Sequence, residues 1–331
     1  MSQNLINFFT DKNVLITGGL GFIGSTLAIK LAKVNANVTI VDSLIPDSGG
    51  NIFNIQPAKD RIKINISDLR DKNSLDHLVQ DKEYIFNLAG TLSHIDSMKY
   101  PYTDMEINCL GQLNILESCR KNNADAKIVF TGTRGQYGKS LYTPVDEKHP
   151  LIPIDVNGIN KIAGEQYHIL YNKVYGIKAC SLRLTNTYGP RHQMKHHRQG
   201  VLNWFIKQII DGEKIKIYGS GRQIRDTSYV DDVVDALILA MMNKGTAGEV
   251  YNIGGEPLSL VDFVEKLIKI YGSGTYELVK YPDESKDIEI GDYIADYSKF
   301  TKLTGWKPII YLEEGLRRTL AYYIQNKSEY W

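Results

Sequence analysis

Cysteine is scarce in this chain and follows no pattern. The 331 residues contain three cysteines, Cys109, Cys119 and Cys180, with none of the close spacings that bind a metal. This usage is typical of reduced thiols, and it excludes a small disulfide-stabilised secreted fold. We therefore expect a cytoplasmic protein without a metal site.

Long apolar runs and an excess of one charge are also missing. No apolar stretch is long enough to span a bilayer, and the first ten residues lack the pattern of a signal peptide. Lys plus Arg number 39 against 38 Asp plus Glu, so bulk charge recruits neither nucleic acid nor an anionic membrane. The basic cluster at 195–198 is equally well explained by a solvated loop and by an anion site. We expect neither nucleic acid nor a membrane as a partner.

Short apolar runs alternate with longer helical patterns in the first half of the chain. The strand candidates are 13–17, 37–41, 61–64, 84–88, 127–131 and 178–184, and the helix candidates include 22–34, 72–80, 103–122 and 158–175. This alternation predicts an α/β fold with a Rossmann-type, doubly wound parallel sheet that is covered by helices on both faces.

The pattern changes after about residue 185, where the loops become longer. Helix candidates at 199–211, 231–243, 259–271 and 312–325 are separated there by short strand-like pieces. We predict a first domain over 1–185 and a smaller mixed α/β lobe over 186–331. The segment of about 224–255 is expected to return to the first domain.

A glycine-rich turn, TGGLGFIG over residues 17–24, follows the first strand candidate and opens a helix candidate. Gly18 permits a tight turn, Gly21 lets the backbone approach a phosphate, and Gly24 lets the helix pack closely on the strand. The N-terminus of that helix then offers N–H groups to a pyrophosphate. The context on both sides predicts a dinucleotide site.

An acidic residue, Asp42, ends the second strand candidate. Its carboxylate is suited to the adenosine ribose hydroxyls and would repel a 2′-phosphate. No Lys or Arg lies between Asp42 and Lys59 to receive such a phosphate. The predicted cofactor is therefore NAD rather than NADP.

Polar or small residues follow each later strand candidate, where doubly wound sheets bind their ligands. The segments are SDLRD (67–71), NLAG (87–90), TGTRGQYG (131–138), NGINK (157–161), RLTNTYGPR (183–191) and RDTSYVDDV (225–233). In this order, over residues 12–323, they resemble the extended short-chain dehydrogenase/reductases, specifically the NAD-dependent sugar-nucleotide epimerase/dehydratase family.

The resemblance implies an NAD-binding first domain and a second lobe that binds a nucleoside-diphosphate sugar. It implies NAD contacts at Gly18, Gly21, Phe22, Ile23, Gly24, Asp42, Asp68, Leu69, Leu88, Ala89 and Lys161. It implies catalytic positions at Thr133, Lys161 and Asn157, and substrate contacts at His94, Asn186, Arg191 and Arg225. Thr133 would bind the reacting hydroxyl, and Lys161 would bind the nicotinamide ribose. A homodimer or higher homo-oligomer through 103–122 and 158–175 is also implied.

One departure from the family is important. The family has a tyrosine base four residues before this lysine, whereas this chain has Asn157, and a carboxamide has no useful pKa. Thr133 through water, His94 or Lys161 could serve as the base, or the reaction could dispense with one. The protein could also bind its ligands without turnover, or the residue could be an introduced substitution.

The residues after Thr133 narrow the reaction further. Family 4,6-dehydratases carry an Asp-Glu pair there, and this chain has Arg134 and Gly135. Arg134 is predicted either to bind an anionic group of a substrate or to form a salt bridge with Asp146 or Glu147. The expected function is an NAD-dependent sugar-nucleotide epimerase or 4-dehydrogenase that acts at C4. The alternative is a non-catalytic protein that binds NAD and a sugar nucleotide.

Overall fold

A central parallel sheet dominates the computed structural model, which describes residues 3–282 and 288–331. The strands are β1 (Asn13–Thr17), β2 (Asn37–Asp42), β3 (Ile62–Ile66), β4 (Tyr84–Asn87), β5 (Lys127–Thr133), β6 (Lys178–Leu184), β7 (Asn186–Tyr188), β8 (Ile215–Tyr218), β9 (Ile224–Tyr229), β10 (Val250–Asn252), β11 (Glu256–Ser259) and β12 (Tyr276–Val279). Seven of them form the sheet in the order β10-β6-β5-β4-β1-β2-β3, with every neighbouring pair parallel. The strand order reverses between β1 and β4, which is where such sheets bind ligands.

Helices cover both faces of this sheet, and further helices belong to the smaller lobe. In chain order the helices of the described residues are α1 (Gln3–Phe9), α2 (Phe22–Ala32), α3 (Lys72–Leu78), α4 (His94–Lys99), α5 (Pro101–Met105), α6 (Gly111–Asn122), α7 (Val156–Tyr175), α8 (Val201–Ile210), α9 (Val230–Met242), α10 (Leu260–Tyr271), α11 (Ser298–Thr304) and α12 (Leu312–Gln325). The predicted helix 103–122 corresponds to α5 and α6, which are joined by a π-helical turn at Glu106–Leu110. No helix among residues 3–282 and 288–331 is long and apolar enough to cross a membrane.

The burial of β1 shows why its sequence is apolar without alternation. Val14 and Ile16 pack in the cluster that includes α2 and α9, whereas Leu15 packs in the cluster that includes α3, α6 and α7. All three side chains are fully buried, as expected for a parallel strand with helices on both sides. The predicted doubly wound α/β fold is confirmed.

The second half of the chain builds a smaller lobe. Strand β9 pairs with β7 in parallel and with β11 in antiparallel orientation, and β8 pairs with β12 in parallel. Helices α8, α10 and α12 bury their apolar sides together in this lobe. Within the segment 224–255, α9 contacts α2 and β5 and β10 joins the main sheet, whereas β9 belongs to the small sheet.

Candidate active site

A single cavity runs along the carboxyl ends of the central strands and reaches the smaller lobe. Fifteen of the residues predicted as site residues line it: Gly18, Gly21, Phe22, Ile23, Gly24, Asp42, Asp68, Leu69, Leu88, Ala89, His94, Thr133, Arg134, Lys161 and Asn186. The three others, Asn157, Arg191 and Arg225, are outside its lining.

The glycine turn forms a cradle at one end of the cavity. Gly18 has a φ of +65°, and a Cβ on it would lie 3.0 Å from the Cα of Ala89. A Cβ on Gly24 would collide with the backbone carbonyl of Gly18, so helix and turn are too close for any side chain there. Helix α2 begins at Phe22 without a side-chain cap, so its first N–H groups are available to a ligand. The cradle fits the pyrophosphate of a dinucleotide.

The carboxylate of Asp42 lies beside this cradle at the end of β2. Its Oδ2 accepts a hydrogen bond from the Leu20 N–H at 3.0 Å, and its Oδ1 accepts one from the Leu44 N–H at 3.0 Å. Burial raises the pKa of Asp42, and these two backbone hydrogen bonds oppose the rise. Each oxygen retains a lone pair, which suits the ribose hydroxyls of NAD.

Two further predicted NAD contacts, Asp68 and Leu69, also lie along the cavity. The carboxylate of Asp68 is held by Arg70, whose Nε donates to Oδ1 at 3.0 Å and whose Nη2 donates to Oδ2 at 2.9 Å. Arg70 lowers the pKa of Asp68 and so keeps it ionised. The carboxylate is therefore fixed in place as an acceptor at this end of the cavity.

Lys161 and Thr133 lie further along the cavity, on α7 and at the end of β5. The Lys161 ammonium is buried, its Nζ lies 3.4 Å from the Thr131 carbonyl oxygen, and burial lowers its pKa to about 8 against the opposing charge of Asp104. The Thr133 hydroxyl accepts a hydrogen bond from the Gly135 N–H at 3.2 Å. Its own hydrogen is not donated to any described residue and is thus available to a ligand.

Asn157 lies one turn before Lys161 and is not among the residues that line the cavity. Its Nδ2 donates to the Thr91 carbonyl at 2.8 Å and to Oδ2 of Asp104 at 3.0 Å, and the residue is 2% exposed. Asn160 donates to Oδ1 of the same aspartate at 2.8 Å. Asn157 is therefore part of a buried polar cluster that satisfies the Asp104 carboxylate.

His94 is instead directed into the cavity, as the first residue of α4. Its Nδ1 lies 2.6 Å from Oδ2 of Asp155, whose Oδ1 accepts the Gly158 N–H at 2.7 Å and caps α7. Burial raises the pKa of Asp155, but the hydrogen bond and charge of His94, together with the Gly158 N–H and the charge of Arg134, lower the pKa overall. Sequence reasoning missed Asp155. The sequence could have indicated it, because an aspartate just before a helix is a preferred N-cap residue.

Arg134 lies next to Thr133 with its guanidinium 5.8 Å from the ring centroid of Tyr293. Its Nη1 is buried and has no hydrogen-bond partner among residues 3–282 and 288–331. Burial and the positive charge of Arg225 lower the pKa of Arg134 to about 10. In that same part of the chain it forms no ion pair with Asp146, which accepts from Tyr142, or with Glu147, which accepts from the Asn252 N–H.

The remaining substrate candidates divide into two groups. Asn186 lines the cavity, and its Oδ1 is buried without a partner in the described chain. Arg225 is buried behind the lining, where it pairs with Glu289 and donates to the Gly291 carbonyl at 2.7 Å. Arg191 donates to the Asn54 carbonyl at 3.1 Å. Of these three, the cavity thus brings only Asn186 beside Thr133 and Arg134.

Comparison with known proteins agrees with this geometry. Residues 14–254 match the family model described as "NAD dependent epimerase/dehydratase family". The chain is 38% identical over 320 residues to a putative UDP-glucose 4-epimerase of Methanocaldococcus jannaschii, covering 95% of this chain and 99% of that protein.

Two solved structures share the architecture over nearly the whole chain. The UDP-glucose 4-epimerase of Thermotoga maritima, solved with UDP-glucose, is 32% identical with a TM-score of 0.85, covering 95% of this chain and 99% of that one. The UDP-glucuronic acid 4-epimerase of Bacillus cereus, solved with UDP-glucuronic acid and NAD, is 29% identical with a TM-score of 0.85 and the same two coverages. Since the cradle, the Asp42 carboxylate and the match over most of the chain all agree, the chain belongs to the NAD-dependent epimerase/dehydratase family of sugar-nucleotide enzymes, and its cofactor is NAD.

Proposed function

We propose that the protein is a sugar-nucleotide epimerase or 4-dehydrogenase that transfers a hydride between C4 of a nucleoside-diphosphate sugar and tightly bound NAD. The observation that carries this proposal is the continuity of the cavity. The dinucleotide cradle at Gly18 opens directly onto Thr133, Lys161 and Asn186. A ligand that spans this space brings a sugar carbon next to the cofactor.

Each residue of the cavity has a proposed role that follows from its chemistry. When bound, NAD supplies the hydride acceptor. The Thr133 hydroxyl orients the sugar hydroxyl, and the Lys161 ammonium holds the ribose next to the nicotinamide. Arg134 presents a buried donor, Nη1, without a partner in the described chain, and this donor suits the anionic part of the substrate. The unpartnered atom of Asn186 is the acceptor Oδ1, which suits a hydroxyl or N–H group of the substrate.

Epimerisation or simple oxidation fits the site better than elimination of water does. Elimination needs a proton donor for the departing hydroxyl. The two positions after Thr133 carry the cation Arg134 and the side-chain-free Gly135. The site therefore supports removal and return of a hydride. The keto sugar would either rotate and be reduced on its other face, or be released.

The test is the near-ultraviolet absorbance of reduced nicotinamide. Purified protein is mixed with NAD and, in turn, with UDP-glucose, UDP-glucuronic acid and GDP-, CDP- and dTDP-sugars, while NMR follows the conversion of each sugar. We expect absorbance or a C4 epimer with one of them, and a rate at least ~10²-fold lower for Thr133→Val, which removes the orienting hydroxyl. Neither signal with any sugar, in protein shown to bind NAD, would contradict the proposal.

The buried position of Asn157 favours a second candidate, a protein that binds NAD and a sugar nucleotide without turnover. The same experiment separates the two candidates. Tight binding of one sugar nucleotide, with no reduced nicotinamide and no new sugar isomer, would select the non-catalytic protein.

We also propose a homodimer or higher homo-oligomer through the surface of α5, α6 and α7. Large apolar side chains are exposed there, with Tyr102 78% exposed, Val174 58% and Leu170 50%. Exposed apolar patches of this kind are typical of protein interfaces. Light scattering should give a mass of at least two chains, and Tyr102→Lys together with Val174→Lys should reduce it to one.

A further inference from the structure

We propose that His94, held by Asp155, is the group that takes the proton from the sugar hydroxyl and returns it. This inference rests on the proposed function, because it names the missing proton acceptor of that reaction. Hydride removal from a carbinol carbon leaves a hydroxyl proton that a side chain must accept. The resemblance places that side chain at Asn157, a carboxamide that is bound to Asp104 and lies outside the cavity lining.

The Asp155 carboxylate determines which nitrogen of His94 carries a hydrogen. Its side chain is completely buried, its Oδ1 is fixed by the Gly158 N–H, and its Oδ2 lies 2.6 Å from Nδ1 of His94. An ionised carboxylate only accepts hydrogen bonds, so Nδ1 donates its hydrogen to it. The neutral ring then has a lone pair on Nε2, which is the nitrogen suited to accept a proton.

The open edge of the imidazole lies beside the residue that would orient the sugar hydroxyl. The His94 side chain is 38% exposed and lines the cavity. A Cβ on Gly135 would be 3.2 Å from Cε1 of His94 and 3.7 Å from Oγ1 of Thr133. The imidazole and the hydroxyl therefore both lie next to Gly135, and both of their residues line the same cavity.

The other candidate bases are placed less well. Burial lowers the pKa of Lys161 to about 8, but its ammonium is buried beside the Thr131 carbonyl and Gly90. The Thr133 hydroxyl is a poor base because an alcohol must first lose its own proton to a second group, and only then can it accept one. His94 has both an orienting carboxylate and access to the cavity.

The proposed step is balanced as follows. The O–H bond of the sugar breaks and its proton forms a bond to Nε2 of His94, which gives an imidazolium next to the Asp155 carboxylate. The C–H bond breaks with its electron pair, which leaves as a hydride to NAD, and the carbon becomes a carbonyl. In the reverse step the imidazolium returns the proton as the hydride comes back. Asp155 does not become protonated and acts as a positioning residue.

The kinetic test uses single-turnover formation of reduced nicotinamide, with UDP-glucose and UDP-glucuronic acid as probes. His94→Gln should lower the rate ~10²–10⁴-fold, because glutamine fills the position but is not a base. The affinities for NAD and for the probe should stay within about twofold of wild type. His77→Gln, on exposed surface of α3, is the matched control and should keep the wild-type rate.

A second measurement needs no turnover. Asp155→Asn still caps α7 through its oxygen, but its amide now donates toward Nδ1 and forces the hydrogen of His94 onto Nε2. In protein labelled with ¹⁵N-histidine, the His94 signals are those lost in His94→Gln. We expect an Nδ1–H tautomer in the wild type and an Nε2–H tautomer in Asp155→Asn, which should also turn over more slowly.

The outcomes separate this inference from the proposed function. A wild-type protein that turns over while His94→Gln keeps its full rate would overturn the role of His94 and leave the function standing. An Nε2–H tautomer in the wild type would overturn it as well. Absence of turnover with every sugar nucleotide would overturn the function, and the proton-transfer role with it.

Discussion

Nδ2 of Asn157 lies 3.0 Å from Oδ2 of Asp104 and donates a hydrogen bond to it. The bond joins α7 to α5, one helical turn before Lys161. The same carboxylate accepts from the Thr91 hydroxyl at 2.7 Å, and its charge opposes the fall in the pKa of Lys161. Asn157 therefore serves the buried polar cluster that supports Lys161 and is not itself in the cavity.

This arrangement predicts that Asn157 contributes to stability. Asn157→Ala should lower the free energy of unfolding by about 1–3 kcal/mol, because the Thr91 carbonyl and one Asp104 oxygen lose a donor. Urea unfolding followed by circular dichroism measures it. The exposed Asn73 on α3 supplies the control, and Asn73→Ala should stay within about 0.5 kcal/mol of wild type. Asn157→Tyr should not raise the rate of the proposed hydride transfer, and a clear increase would show that a phenol at this position can reach the substrate.

Sequence periodicity predicted the elements with long local signals. The six strands from β1 to β6 fall close to their predicted positions, and β5 extends two residues further, to Thr133. The short pieces could not be predicted in the same way. β10 has three residues and α4 has six, and both depend on neighbours that are distant in the chain.

The site shows the same division. The glycine turn and Lys161 belong to contiguous motifs, so their position in the cavity follows from the strands that carry them. The contacts His94–Asp155 and Asn157–Asp104 join residues 61 and 53 positions apart. They arise from the packing of α4 and α5 against α7, which local periodicity does not specify.

Gly90 offers a test of the position of Lys161. A Cβ on Gly90 would lie 2.8 Å from Nζ of Lys161 and 2.5 Å from Oδ1 of Asn108. Gly90→Ala should displace the ammonium and weaken NAD binding at least ~10-fold, by analogy with the loss of a charged hydrogen bond. Calorimetric titration with NAD measures this. Gly245→Ala, outside the cavity lining, should bind NAD normally, and normal binding by Gly90→Ala would contradict the role assigned to Lys161.

Arg134 is expected to bind an anionic group of the substrate. Nη1 of Arg134 has no hydrogen-bond partner in the described chain. We therefore expect Arg134→Gln to weaken sugar-nucleotide binding ~10- to 100-fold, the range of a charge-assisted hydrogen bond. Dissociation constants for UDP-glucose and UDP-glucuronic acid show which anionic group Arg134 binds. An equal loss of affinity for both ligands indicates a phosphate, and a larger loss for UDP-glucuronic acid indicates its sugar carboxylate. Arg120→Gln, at the exposed ion pair with Glu117, is the control, and unchanged affinities in Arg134→Gln would contradict the prediction.

Because the His168 imidazole is buried, we expect the protein to lose stability in mild acid. Its ring is stacked on Phe130 at 4.5 Å, its Nδ1 lies 2.7 Å from the Gly164 carbonyl, and Nε2 lies 3.2 Å from Nδ2 of Asn87. Nδ1 therefore donates and Nε2 accepts, so the folded ring is neutral, and burial lowers its pKa from 6.5 to about 4.

The sign of the effect follows from where the proton binds. Between pH 6.5 and about 4 the unfolded chain binds a proton at this histidine that the folded chain does not. The free energy of unfolding should thus keep its maximum value above pH 6.5 and decrease as the pH drops from 6.5 to about 4. At about 1.4 kcal/mol per pKa unit, the decrease due to His168 is on the order of 3 kcal/mol. Urea unfolding of wild type and His168→Gln at several pH values measures the slope. The variant should be less stable at neutral pH but show a shallower slope, with the residual part due to the buried His192, whose pKa is also lowered to about 4. An unchanged slope in His168→Gln would mean that other groups control the acid sensitivity of the fold.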